Sequence, residues 1–435
     1  MATEWREFRL GDIAHLRKGV SYQGAYLDRP GPRLLGLGTV TPGGGIKLDD
    51  ARTYSGPIRA WQYIAPGEML IALTDITQDG RILGSPALVP ASAEGLFAVT
   101  HHVARVELTA PDKADTRFLF YLLQAPVARA YMRGVATGTT VRAVSVADAE
   151  AYKASLPPLD EQRAIAHILG TLDDKIELNR RMSETLEAIA RALFKSWFVD
   201  FDPVRAKSEG RDPGLPQPLA DLFPDSFEDS ELGEIPKGWR VGELGDVADH
   251  PRRGVQPNEI EPSTPYIALE HMPRHSITLR AWEIADGVVS NKFVFRRGEV
   301  LFGKLRPYFH KVGVAPIDGV CSTDIAVVKP RQEDWFGFVL GHVSSEAFVE
   351  YANAGSTGTK MPRTGWGDMA RYPVALPPEL LARAFDARVR PLVTRLVAGI
   401  HEGRTLAALR DTLLPKLVSG ELRVKDVEHF VSEVA

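Results

Sequence analysis

The strongest hydrophobic pattern in the chain is a heptad run near its middle. After Leu156-Pro157-Pro158, the residues Ile165, Leu172, Asn179, Leu186 and Leu193 recur every seven positions, and Leu169, Ile176, Ser183, Ala190 and Trp197 recur four positions later. Two such rows form the apolar seam of a coiled coil, with Asn179 as the polar exception that fixes register. The spacing predicts one helix over 160–197, roughly 55 Å long at about 1.5 Å per residue. A rod of that length needs another rod to pack on. One is expected from about Glu379 to Val418, where Phe385, Val389, Leu392, Leu396, Leu406, Leu413 and Leu417 stay apolar. There Gly399 and Gly403 interrupt the seam and Pro391 is expected to kink it.

The two rods belong to an internal repeat, which sets the architecture before any local assignment. "TGTTVRAVSVADAEAYKASLPPL" from Thr137 aligns with "TGTKMPRTGWGDMARYPVALPPE" from Thr357, a shift of 220 residues without a gap from Phe118 to about Trp197. "WREFRLGDIA" from Trp5 resembles "WRVGELGDVA" from Trp239 at a shift of 234, and "PGEMLIAL" from Pro66 matches "RGEVLFGK" from Arg297 at 231. The ends of the repeat are kept, and its interior is shortened and divergent in the second copy. Drift in loops after duplication accounts for this; so does a common scaffold carrying a different task in each half.

Within each copy, short apolar runs such as "EMLIAL", "FAVTHHVARVEL", "FVFRRGEVLFG" and "DIAVVKP" alternate with Gly and Pro, which predicts short strands in a mixed or antiparallel sheet. An amphipathic helix, a Thr-Gly-Thr loop and the Pro-Pro turn follow. The fold class is α+β: two duplicated mixed α/β domains and a pair of long antiparallel coiled-coil helices. The boundaries are 1–155 for the first domain, 156–198 for the first helix and 199–238 for an acidic, Pro-rich connector. The second domain takes 239–376, the second helix 377–420 and a tail 421–435.

Composition narrows the setting. Hydrophobic residues make up 44% and charged residues 25%, and no apolar run approaches the length that spans a bilayer. The N-terminus has no apolar leader-like run, and the single cysteine, Cys321, excludes an intrachain disulfide, so a cytoplasmic location is expected. Net charge is −4, but the connector alone sets ten acidic residues against four basic ones. The rest is near neutral with local basic clusters.

Catalytic motifs are missing. There is no phosphate loop of the G-x-x-x-x-G-K-[ST] kind, no H-E-x-x-H helix and no Cys-rich zinc set, and no metal ligand is expected. His101 and His102, adjacent on an expected strand, would point to opposite faces. The Asp/Asn-Pro-Pro-aromatic motif of amino-methyltransferases is absent; Pro157-Pro158 follow leucine and open a helix.

Binding residues gather where the copies differ. "GKLRPYFHKVG" places Lys304, Arg306, Tyr308, His310 and Lys311 together, a mixture suited to phosphates and base edges, or to a charged strand edge that resists aggregation. The aligned "LTDITQDG" offers Thr74, Asp75, Thr77 and Gln78, which suit base edges or an ordinary turn. Arg17-Lys18 and Arg252-Arg253 could hold phosphates. The Thr-Gly-Thr loops, with Thr139, Thr140 and Arg142 in one copy and Thr359, Lys360 and Arg363 in the other, could meet a DNA backbone or simply cap a helix.

Taken in order, "GTT…LPPLDEQRAIAHIL", "SWFVDFDPVRAK", "SELGEIPKGW", "GEVLFGKLRPYFHKVG" and "LLPKLVSGEL" resemble the specificity subunits of type I restriction-modification systems along nearly the whole chain. The resemblance implies two target-recognition domains separated by the helices as a spacer. It implies double-stranded DNA, two modification (methyltransferase) subunits and restriction subunits as partners. S-adenosylmethionine, ATP and Mg would then sit on the partners, with no cofactor and no catalysis in this chain. The first domain lacks the Leu-Arg-Pro-Tyr segment, and "PPELLARAF" replaces the acidic-Gln start seen at Asp160-Glu161-Gln162.

On this reading each domain reads half of an asymmetric bipartite target, and a rod of about 50 Å limits the centre-to-centre distance to about 15 base pairs. The expected spacer and docking residues are Glu161, Gln162, Ile165, Leu169, Leu172, Ile176, Asn179, Leu186, Leu193, Trp197, Leu392, Leu396, Leu406, Leu413 and Leu417. Two rivals remain: a self-sufficient DNA adenine methyltransferase, and a coiled-coil scaffold that ignores DNA.

Overall fold

A computed structural model describes residues 5–77, 79–358 and 360–426. The chain divides into two compact units, Met1–Asp174 with Leu406–Ala435, and Lys175–Thr405.

In the first unit the opening strand Arg6–Arg9 lies antiparallel to the closing strand Lys153–Leu156, with Phe8 opposite Ala154. Between them an antiparallel sheet runs in the order Ala14–Lys18, Val103–Leu108, Met69–Ala72, Pro86–Leu88. Both faces of its middle strand are covered. Met69 and Ile71 join the core under the helices Thr116–Gln124 and Pro126–Val135, while Leu70 and Ala72 join a second core with Leu35, Ile64 and Val99 of a three-stranded sheet. That double burial explains why "MLIAL", Met69 to Leu73, is apolar throughout rather than alternating. Asp115 starts the first helix by accepting from the backbone N–H groups of Arg117 and Phe118.

The second unit repeats this plan. Arg240–Glu243 pairs antiparallel with Pro373–Leu376, and the sheet order is Ala248–Asp249, Ile325–Pro330, Val300–Gly303, Val312–Val314. Val300 and Phe302 face the helical core while Leu301 faces the other. In each unit the second sheet contains one parallel pair, Arg33–Leu35 with Phe97–Val99 and Pro265–Ile267 with Gly319–Ser322. The mixed sheets expected from the repeat are therefore present in both copies.

The long helices are Leu159–Phe198, 40 residues, and Glu379–Ser419, 41 residues. The second continues unbroken through Pro391, Gly399 and Gly403. Pro391 and Ala387 are exposed, so the carbonyl deprived of its donor by the proline faces solvent. In the first unit Ile165 and Leu169 share a core with Leu414 and Leu417, and Arg410 bonds Asp173 at 2.8 Å. In the second, Ala190 shares a core with Val389, Leu396 and Leu392, and Lys175 lies 3.4 Å from Glu402. In each unit the segments run antiparallel, as expected. Leu172, Ile176, Leu186, Leu193, Leu406 and Leu413 are half-buried.

Three expectations are corrected. Trp197, with its neighbour Phe198, is core and not docking surface: its ring packs on Phe223 and Phe385 at centroid distances of 5.1 and 5.3 Å. Gln162 is fully buried, donating to the carbonyls of Lys113 and Pro157 and accepting from Asp115 N at 2.9 Å, so it latches the helix start to the first unit. Glu161 pairs with Arg423 at 3.0 Å. The 199–238 segment is more than a tether. It forms helices Asp202–Ser208 and Gln217–Ala220 and a hairpin, Phe227–Ser230 with Gly233–Pro236. Val204, Leu219, Phe223 and Ile235 anchor it in the second unit's core.

Asn179 is 3% exposed, and neither its amide nitrogen nor its oxygen has a hydrogen-bond partner among the described residues. Replacing Asn179 with Leu is expected to stabilise the protein by about 1–3 kcal/mol, because a buried unsatisfied amide disappears. Register specificity should loosen in return. A denaturation midpoint that falls would show that the amide has a partner which leucine removes.

Candidate nucleic-acid interface

In both units the fold brings together the same two segments, although their residues have diverged. In the first, Thr74–Asp75 continues from the central strand and pairs antiparallel with Arg142–Ala143, while Val144 N donates to Leu73 O at 2.8 Å. Thr137 bridges Ala143, closing the Thr-Gly-Thr loop around Gly138, whose φ of +93° suits glycine. Thr139 and Thr140 are exposed on that loop. In the second unit Arg306 N donates to Pro362 O at 2.7 Å and Thr364 N to Lys304 O at 3.1 Å. Leu305 and Thr357 both bridge Arg363.

The first unit's polar residues are tightly engaged. Asp75 is 1% exposed and accepts from Thr77 N and Oγ1, Ile82 N and Leu83 N at 2.6–3.0 Å. Burial acts to raise its pKa, but these four bonds outweigh it and hold the carboxyl below its ordinary 3.8. Asp75 therefore shapes the loop and has no free oxygen to offer cytosine, which corrects its expected reading role. Thr74 Oγ1 lies 3.0 Å from His102 Nδ1. Burial, helped by His101 and Lys18, holds the His102 pKa down.

His101 and His102 occupy a turn, with ring centroids 3.8 Å apart, so they do not project to opposite faces as the expected strand required. Arg17 is taken up by Glu107 at 2.7 Å, and Arg142 donates to Arg133 O at 2.7 Å. Lys18 is exposed and Thr77 half-buried. Gln78 lies outside the described residues.

The second unit is more cationic. Burial holds the Lys304 ammonium below its ordinary pKa; Asp324 opposes that, and Arg363 and Arg252 add to it. These groups therefore share one field. Arg363 bonds Asp324 at 2.6 Å, Arg253 pairs with Glu299, and Lys311 donates to Leu269 O. Arg252 and Lys360 are exposed and stand in no ion pair among the described residues. Tyr308 is 48% exposed, on a turn entered through Arg306 at φ +51°. His310 is buried and points its Nε2 at Ser344 O, 3.0 Å away, so it is withdrawn from any surface contact. Thr359 lies outside the described residues.

Sequence reasoning missed Arg129, Asp324, His275 and Glu346. Buried Arg129, its pKa lowered to about 10 by burial and by Arg133, donates to Arg81 O and Ser85 and knits the loop that Asp75 organises. His275 and Glu346 meet His310, with the ligand atoms of all three within 4.8 Å of one another. No spacing rule could join residues from three separate segments.

Residues 2–188 match the family described as the type I restriction modification DNA specificity domain. The chain is 24% identical to the MjaIX specificity subunit of Methanocaldococcus jannaschii, over 73% of this chain and 71% of that one. It is 22% identical to the HindI specificity subunit of Haemophilus influenzae, over 97% and 100%. Its fold resembles the crystal structure of the S subunit from M. genitalium, with a TM-score of 0.59, 16% identity and coverage of 95% and 96%. Over most of its length the chain is thus similar to specificity subunits of type I restriction-modification systems, and its residues 2–188 carry the family's DNA specificity domain. Among the described residues, no helix is long and apolar enough to cross a membrane.

Asp75→Asn should destabilise the first unit by about 1–3 kcal/mol at pH 7, since it removes a charged acceptor from buried donors. A depressed folded-state pKa contributes stability above the unfolded value of 3.8 and loses it as pH falls through the folded value. The gap in melting temperature between wild type and variant should accordingly narrow below about pH 4. A gap independent of pH would show that charge is not what the loop uses.

Proposed function

We propose that this chain is the DNA-reading subunit of a type I restriction-modification complex, in which each unit reads one half of an asymmetric, bipartite target. The observation that carries this reading is the repeated junction: the same two loops meet on a kept scaffold, while their side chains differ between the units. Equivalent placement with different chemistry is what two unlike half-sites require.

In the second unit, Arg252 and Lys360 are suited to phosphates, and Lys304, Arg306 and Tyr308 to base edges or stacking. In the first, exposed Thr139, Thr140 and Lys18 are suited to the backbone, whereas Thr74 is buried with its hydroxyl beside His102 and half-buried Thr77 donates its hydroxyl to Asp75, so both serve the loop and not a base edge. The long helices set the gap and dock two methyltransferase subunits. Exposed Leu178 and Ile189, outside the seam, are apolar surface suited to such docking. Methyl transfer and cleavage belong to the partners, which carry S-adenosylmethionine, ATP and Mg, and the complex works in the cytoplasm.

Two measurements test this. Arg252→Ala and Lys360→Ala should each weaken DNA binding by the methyltransferase complex about equally across sequences, and each should lower the salt slope of log K by about 1. A change of recognised sequence with an unchanged slope would remove them from the phosphate role. Deleting one heptad from each long helix should shorten the gap by about three base pairs, roughly 10 Å, and leave both half-sites intact. Methylation mapping that shows altered half-sites at an unchanged gap would refute the spacer. Methylation by the chain alone would refute the non-catalytic assignment.

A further inference from the structure

We propose that His275, His310 and Glu346 form a binding site for a divalent transition-metal ion, with Zn2+ the best match. The three residues come from separate segments of the second unit, and their ligand atoms lie within 4.8 Å of one another. His275 Nδ1 stands 3.3 Å and His310 Nδ1 3.4 Å from Glu346 Oε1. Ligands bound tetrahedrally at about 2.0–2.1 Å must sit roughly 3.3 Å apart, so both distances already suit a shared ion.

The tautomer of His310 is set by its other nitrogen. Nε2 lies 3.0 Å from the Ser344 carbonyl oxygen, which can only accept, so Nε2 carries the proton. In the neutral ring Nδ1 then presents a lone pair toward Glu346. His310 is 5% exposed, and that Nδ1 is buried with no hydrogen-bond partner. A carbonyl holding the distal N–H of a ligating imidazole is the usual support for a metal-bound histidine.

The backbone holds the rings in place. His275 N donates to His310 O at 3.0 Å, and the ring centroids lie 4.7 Å apart. Both histidines have left-handed backbones, φ +53° and +48°, which non-glycine residues seldom adopt. Two imidazoles and one carboxylate favour zinc and its neighbours over Mg2+ or Ca2+, which select oxygen. The fourth position is left for water. His275 and Glu346 reach solvent, and all three residues line a cavity of about 500 Å3.

The ion would staple the end of the Lys304–Lys311 loop to the turn at His275 and to the start of the helix Glu346–Ala354. Its value to DNA reading rests on the function proposed above; its existence does not. The first unit has Pro126 where the 220-residue shift places Glu346, so the staple belongs to the second unit alone.

The test uses the full chain, free of any affinity tag and of DNA, stripped with chelator and titrated with Zn2+ in a calorimeter. One saturable equivalent is expected, together with the visible absorption of four-coordinate Co2+ after substitution. His275→Asn, which tolerates the left-handed backbone, and Glu346→Gln should each weaken Zn2+ binding by at least about tenfold while the far-ultraviolet dichroism stays unchanged. Excess Mg2+ should not compete. Absence of a saturable equivalent, or equal binding by both variants, would leave only an imidazole–carboxylate ion pair and overturn the site. Either result leaves the DNA-reading proposal standing, because no DNA is present.

Discussion

The structure depends on the antiparallel clamp that joins the two ends of each repeat. Arg6–Arg9 pairs with Lys153–Leu156, and Arg240–Glu243 with Pro373–Leu376. Each clamp brings the chain back to its starting point just before a Pro-Pro turn, so each long helix is launched from the same place on each scaffold. The interior of the repeat can then change length and sequence without moving the helix start. This is a physical reason why the flanks of the duplication stay alike while the middle diverges.

The helices are knit into the units at their ends by different means. In the first unit Gln162 makes three hydrogen bonds with both its amide atoms. In the second, Asp386 accepts from Gly337 N at 2.9 Å and pairs with Arg390 at 2.7 Å, beside the aromatic cluster of Phe194, Trp197, Phe198 and Phe385. Buried His342, its pKa pushed down to about 3 by burial, meets Phe194 and Phe338 edge-to-face there as a neutral ring. The seam is polar at Asn179 and Ser183. A Cβ on Gly399 would stand 3.7 Å from Ser183 Oγ, so the glycine that interrupts the second heptad pattern lies against a small polar residue and not in a void.

Much of this was legible in the amino-acid order. Ile165, Leu169, Leu396 and Leu417 are buried where the heptads put them, and the strand runs lie in mixed sheets. What could not be read was the use of individual side chains. Trp197 and Phe198 have the same hydrophobicity whether they face a partner or the chain's own core, and here the 199–238 segment covers Trp197. Asp75 carries the same carboxylate whether it reads a base or receives four protein donors. The acidic surplus of 199–238 concealed four apolar anchors, because average charge says nothing about which few residues turn inward.

The sequence by itself determined the duplication, the two rods, the α+β class and the resemblance to a family, since each is written as periodicity or as an ordered set of motifs along one dimension. Tertiary structure alone decided which polar groups remain available. It spent Asp75, Gln162 and His310 on local bonds, left Arg252 and Lys360 exposed, and gathered His275, His310 and Glu346. Hydrogen bonding and ligation act over about 2–4 Å in space, and residues 35 to 71 positions apart meet at that range only once the sheets and loops have closed.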